Sequence, residues 1–322
     1  LPATDLTDLL GTALAVSLPT FAWVVLGIVL SRAGLLPARW IDGISRLAFN
    51  FGLPLMLCAG AAQVDYTHIA DAVHVFAGVA ATLLILILSW RYCRWRGYPR
   101  AQQGIFVQAS FRSNLAIVGV ALCVAAYGER GTALAALPVA LLTMLYNVLA
   151  VWVLDTTLGA RTTALSIVFG ITRNPLVIGI GIGVVVSLSG MPLPGIVPTA
   201  GTALSQFFLP VMLVCIGGSM RLDSLRGAGA IAWEAAAWRL LISPALAVVL
   251  GLLLGARGEA LGVLFLLLSS PVATASFVMV VAARGDSVLA ANLVVLTTLV
   301  SVVTVTLGFF LLSLLGVVGQ LA

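Results

Sequence analysis

Apolar runs of about twenty residues recur from one end of this chain to the other. That is the length a helix needs to cross the hydrocarbon of a bilayer. In lipid every backbone N–H and C=O must find its partner inside the protein, so such runs are tightly restricted in what they can fold into. Hydrophobic residues make up 61% and charged residues only 8% of the 322 residues, which excludes a soluble globular chain. The sequence reads as an all-α polytopic membrane protein. Ten spans are expected, at roughly 9–31, 42–62, 70–92, 103–127, 132–154, 174–190, 196–218, 230–255, 260–283 and 288–316.

A formal net charge of +5 would suggest a nucleic-acid partner in a soluble protein. Here every basic residue is Arg, and most sit in short loops on one side, so no nucleic acid is expected. Arg32, Arg39 and Arg46 precede or open span two, and Arg91, Arg94, Arg96 and Arg100 separate spans three and four. Arg161 and Arg173, then Arg221 and Arg226, then Arg284 fall in the later odd-to-even loops. The other side holds Arg130 and Arg257 among Asp5, Asp8, Asp65, Asp71, Glu129 and Glu259. By the positive-inside rule the Arg-rich loops are cytoplasmic and both termini lie on the outer, periplasmic side of the cell (plasma or inner) membrane. Trp40, Trp90, Trp95, Trp152 and Trp233 cluster at the expected cytoplasmic ends, as an interfacial belt would.

The chain also repeats itself. Gly27 to Gly34 returns as Gly183 to Gly190, and Phe51-Gly52-Leu53-Pro54 returns as Phe207-Phe208-Leu209-Pro210, at a shared offset of about 156. Asp65 and Asp223 close the two copies. Five spans per copy is an odd number, so the copies must be inverted in the membrane, an arrangement common in secondary transporters.

Two polar interruptions stand out against this background. Phe111-Arg112-Ser113-Asn114 lies inside span four, and the repeat offset carries it onto Ser269-Ser270-Pro271-Val272-Ala273-Thr274 in span nine. A guanidinium in hydrocarbon costs from about 3 to more than ~10 kcal/mol, so Arg112 must face protein, water or a ligand. Pro271 removes a backbone donor and breaks regular helix, whereas Asn114 and Gly119 are weaker breakers. Where two broken helices cross, half-helix N-termini together with Arg112 make a pocket for an anion, and Arg can fork onto a carboxylate. The competing reading is an internal pair between Arg112 and Glu234, and Arg239 either lines the cavity or snorkels towards the cytoplasm. Asn147, Tyr146 and Gln108 either line the cavity or bond between helices. Pro54 and Pro210 read as kinks, and Gly179, Gly181 and Gly183 as a close-packing stripe. Cys58, Cys93, Cys123 and Cys215 lack metal spacing, and His68 and His74 offer at most a bare HxxxxxH, so neither metal nor cofactor is expected. No P-loop, nucleophile elbow or zincin helix is present, and the chain does not read as an enzyme.

The order and spacing of several motifs resemble the auxin efflux carrier family, including its bacterial malonate-type members. They are Leu18-Pro19 with Gly27, Phe49-Asn50-Phe51-Gly52-Leu53-Pro54, Phe111 to Asn114 with Gly119, and Asn174-Pro175. Leu209-Pro210 with Gly217, Pro244, and Ser270 to Ala275 complete the set. The resemblance implies ten helices as two inverted five-helix repeats, with helices four and nine broken and crossed as in sodium/proton antiporters and bile-acid symporters. The repeats would be 1–155 and 174–322, joined by a cytosolic or interfacial linker at 156–173. Spans one, two, six and seven would form a scaffold that makes a homodimer, and the others a transport domain that moves like an elevator. Asn114 and Pro271 carry over as site residues. Similar sequences often have Pro two residues after the span-four Gly, where this chain has Ala121, and the long cytosolic loop of plant members is absent. The expected function is secondary transport of a small organic anion, with Arg112, Ser113, Asn114, Asn147, Ser269, Ser270, Pro271 and Thr274 binding substrate. Glu234 and Arg239 are coupling or lining candidates. A sodium- or proton-coupled symporter is the alternative, and a non-transporting membrane sensor a more distant one.

Overall fold

The structure, a computed structural model, describes residues 6–63, 73–159, 172–190, 194–220, 222–227 and 229–319. Most of the expected linker, with Arg161, lies outside these residues, as do Asp65, His68, Asp71 and Arg221. The described secondary structure is helical. In chain order it comprises α1 (Leu6–Arg32), α2 (Ala38–Leu47), α3 (Leu53–Ala62), α4 (Val73–Trp95), α5 (Arg100–Phe111) and α6 (Val120–Leu158). There follow α7 (Pro175–Leu188), α8 (Ile196–Gly218), α9 (Ala230–Ala237), α10 (Ser243–Leu254), α11 (Gly258–Ser269), α12 (Thr274–Ala282) and α13 (Ser287–Leu314).

Among the described residues seven helical segments are long and apolar enough to cross a membrane, not ten. The difference has local causes. At 14 residues α7 reaches only about 21 Å, and α5 and α11 are 12-residue pieces that stop in mid-membrane. The 44-residue segment Leu115–Leu158 hides a reversal at Gly128, whose φ of 55° and ψ of −135° only glycine adopts without strain. A Cβ on Gly131 would strike the Cys123 carbonyl, which in a continuous helix would lie about 12 Å away. Arg100, at the start of α5, donates to the Thr156 carbonyl near the end of α6, so the chain does fold back on itself.

Besides the π turn Leu115–Gly119 ahead of α6, two spans contain a wide π turn, Ala48–Gly52 between α2 and α3 and Trp238–Ile242 between α9 and α10. Each sits just ahead of a proline, Pro54 and Pro244. A proline ring inside a helix clashes with the carbonyl four residues back and offers no N–H, and the wider turn absorbs the misfit. In both spans the helix then continues across the membrane.

Close packing around glycine fixes how the spans lie together. Along α1 and α8, a Cβ on Gly27 would meet the Val214 carbonyl and the Gly218 amide. Along α3 and α7, a Cβ on Gly183 would meet the Cys58 carbonyl and the Ala62 amide. The second contact is the first displaced by the offset of the sequence repeat at every residue. Around this frame large apolar side chains remain exposed, among them Leu55, Val185 and Leu253, as a lipid-facing surface requires.

Because backbone lies against each of these glycines, Gly27→Leu and Gly183→Leu should each cost about 3 kcal/mol or more. Thermal unfolding of the detergent-solubilised protein checks this. Gly43→Ala, where nothing lies within 4 Å, is the matched control and should be neutral or mildly stabilising.

Candidate functional site

The site is built where α5 and α11 stop. Past Phe111 the backbone leaves the helix, with Arg112 extended at φ −85°, ψ 92° and Asn114 turning at φ −81°, ψ 69°. Past Ser269 it does the same, with Ser270 at φ −63°, ψ 150° and Ala273 at φ −63°, ψ 135°. On the second segment Pro271 is the local cause, since a proline drives the residue before it into extended conformation. The first segment has no proline, and its extension is held from across the gap. Ser113 and Val272 pair as an antiparallel bridge, Asn114 N–H donates to the Pro271 carbonyl at 2.8 Å, and Ala273 N–H donates to the Arg112 carbonyl at 3.2 Å. The Val272 N–H is taken by Thr297 Oγ1 of α13 at 3.0 Å. Two short strands thus give each other the hydrogen bonds that neither broken helix supplies.

The last carbonyls of α5 and α11 need donors, and both ends carry partial negative charge. Arg239, fully buried in the π turn between α9 and α10, supplies them. One arm donates to the carbonyls of Phe111 at 2.8 Å and Ser110 at 3.3 Å, and the other to that of Leu268. Arg239 therefore neither snorkels nor pairs with an acid; it is the shared cap of two helices. A planar fork with a fixed charge suits two divergent targets.

Arg112 is also buried, at 7% exposure. Its Nη2 donates to Asn147 Oδ1 at 2.8 Å, while Nε and Nη1 have no hydrogen-bond partner. Ser113 Oγ lies 3.2 Å from the Tyr146 hydroxyl. Arg112, Ser113, Asn114, Thr143, Tyr146, Asn147 and Thr274 line one wall of a cavity of about 1550 Å³. Ser45, Asn50, Asn174 and Ser219 line it from α2, the π turn after it, and the ends of α7 and α8, and Arg32, Asp42, Arg46 and Asp223 lie on the same surface.

Five expected site residues are not brought to this cavity: Ser269, Ser270, Pro271, Glu234 and Arg239, of which Pro271 is buried at the crossing itself and Arg239 in its capping role. Ser269 and Ser270 are buried behind the crossing, where their hydroxyls donate to the Leu266 and Leu267 carbonyls at 3.3 and 2.8 Å. A serine at a helix end can satisfy itself on its own helix, and both do. Glu234 is remote from Arg112. Its carboxylate accepts from Arg96 at 2.5 and 3.3 Å, from Tyr98 at 2.5 Å and from Tyr92 at 3.0 Å. The Glu234 hydrogen bond raises the Arg96 guanidinium above its ordinary value, and burial followed by that carboxylate raises the Tyr98 phenol. Gln108 is buried away from the cavity, and its amide nitrogen reaches only Met279 Sδ, at 3.7 Å. Thr143 and Thr297 were not among the expected residues, because a threonine in an apolar run is common and usually bonds its own helix.

A broken pair of helices beside a cavity with polar side chains on its walls, in a chain with several membrane-spanning helices, fits the class of membrane transport proteins. Residues 13–162 and 160–308 match the profile described as membrane transport protein, and together these stretches cover most of the chain. The chain belongs to this family, the auxin efflux carriers. An uncharacterized transporter of the archaeon Methanothermobacter thermautotrophicus is similar, at 24% identity over 288 residues that cover 88% of this chain and 93% of its own.

Replacing Arg239 with Met would strip the donors from three buried carbonyls at about 1–3 kcal/mol each. Arg239→Met should therefore lower thermal stability in detergent by several kcal/mol. Arg239→Lys, which keeps the charge but not the fork, should fall in between.

Proposed function

We propose that the protein is a secondary transporter or facilitator of a small organic anion, a carboxylate, working by elevator-type alternating access. The observation that carries this reading is Arg112. It is a buried cation on the cavity wall, held by a neutral amide rather than an acid, with two guanidinium nitrogens still unpartnered. A carboxylate would supply the missing charge and acceptors, and Ser113, Asn114, Asn147 and Thr274 lie on the same wall to orient it.

The architecture we assign is two inverted five-helix repeats, 1–155 and 174–322. Counting each crossed helix as one span and cutting Leu115–Leu158 at Gly128 gives ten spans. The doubled glycine contact, Gly27 on α8 and Gly183 on α3, supports the repeat, as do the two profile matches in tandem. Spans one, two, six and seven would be the fixed scaffold, and a homodimer would form through its exposed apolar faces. The remaining spans would carry the crossing up and down. Arg32 and Arg46 on the cavity surface lie on the side the charge bias makes cytoplasmic, which supports an inward-open state in the cell membrane with both termini outside.

Arg239 bears on coupling. Two helix C-termini converge where a transported cation would be welcome, and a permanent guanidinium already fills the place. Glu234, the half-buried acid placed inside a span among the described residues, is saturated by three side chains away from the cavity. Both facts favour a facilitator over the sodium- or proton-coupled symporter.

Uptake of a panel of small carboxylates into proteoliposomes under an imposed potential is the test. Arg112→Ala should reduce uptake by roughly a hundredfold while leaving a monodisperse protein, and Arg112→Lys should recover part of it. Equal flux in wild type and Arg112→Ala would end the anion-site reading.

A further inference from the structure

Asn50 lies in the membrane-crossing segment Ala38–Ala62, in the π turn that joins the amphipathic α2 to the apolar α3 and one helical turn beyond Arg46. Inside a span lipid offers an amide no partner, and a polar side chain there must face protein or a water-filled space. The Asn50 side chain has no hydrogen-bond partner among the described residues, is exposed, and lines the same cavity as Arg112. It therefore opens onto that cavity with two donors and an acceptor unused.

Its position is firmly set. The π turn Ala48–Gly52 re-aims the helix at this point, and a Cβ on Gly52 would collide with the Phe208 ring, so the turn is clamped against α8. Such turns recur at functional sites in helices, and this one sets Asn50 on a cavity wall made of different helices from the Arg112 wall. The chemistry of the group is specific. A neutral amide that both donates and accepts matches a hydroxyl, which does the same, whereas the carboxylate is the partner of Arg112.

We propose that Asn50 is a specificity-determining residue that hydrogen-bonds a hydroxyl on the transported carboxylate, so that hydroxycarboxylates are preferred over their deoxy analogues. This rests on the anion-transport reading above and adds the substrate subclass. A site built around a substrate hydroxyl disfavours the analogue that lacks it, because its polar group is then left unpaired. Loss of one such hydrogen bond corresponds to roughly a tenfold change in relative uptake.

The experiment compares uptake of glycolate with acetate, and of lactate with propionate, in proteoliposomes of wild type and Asn50→Leu. Asn50 bonds no other described residue, so the variant should fold, and its thermal stability in detergent is measured alongside. The expected result is a roughly tenfold preference for the hydroxy acid in wild type that falls towards one in Asn50→Leu and returns in Asn50→Gln or Asn50→Ser. An unchanged ratio, no preference in wild type, or a parallel loss of both acids in a folded variant would overturn the assignment while leaving the transporter reading intact. Absence of uptake of any carboxylate by wild type would overturn the anion reading, and this inference with it.

Discussion

Unpaired backbone in a bilayer is the constraint on which this structure turns. Two helices end in mid-membrane, and each end leaves amides and carbonyls that lipid cannot satisfy. The protein meets that demand with a two-strand bridge at Ser113 and Val272, a threonine hydroxyl from α13, and the fork of Arg239. None of these parts stands alone. Without the bridge the extended segments would have to wind back into helix, and without Arg239 the carbonyls of both helix ends would point at one another across a dry space. The break is thus a cooperative object, assembled from residues more than a hundred positions apart. Its reward is a place at mid-depth where side chains and backbone polar groups can meet a solute.

The two buried arginines divide the work. Arg239 spends its donors on backbone and has only Nε left over, so it is part of the framework. Arg112 spends one nitrogen on Asn147 and keeps two without a partner, buried just behind the cavity wall that its side chain helps to form. Identical side chains are told apart by counting what each still needs. That count, more than burial or charge, is what makes Arg112 the centre of the proposed anion site.

Much of this was legible in the sequence because lipid makes polar residues conspicuous. Arg112-Ser113-Asn114 and Pro271 interrupt apolar runs, and the repeat offset brings one onto the other. The role of Arg239 was not legible, because its partners are backbone carbonyls, which carry no mark in a sequence. Ser269 and Ser270 misled for a related reason: a hydroxyl can face a ligand or turn back on its own helix, and the residue type is the same either way. Glu234 was weighed against Arg112 because both are charges inside spans. Its real partners are Tyr92, the last residue of the expected span, and Arg96 and Tyr98 beyond it, where the helix in fact runs on to Trp95. The count of spans was blurred by the same crossing, since a helix cut in two no longer has the length that identifies it.

The grip on Glu234 has a mechanical consequence. One carboxylate on α9 is held by donors on α4 and on the turn that follows it, and α4 also packs along α10 over much of its length. Helices from the two halves of the chain are thereby riveted at one end and laminated along the rest. Any displacement of one must be shared by the other, so slack cannot open between them. The compliance of the molecule has to reside elsewhere, along the seams where the walls of the cavity meet.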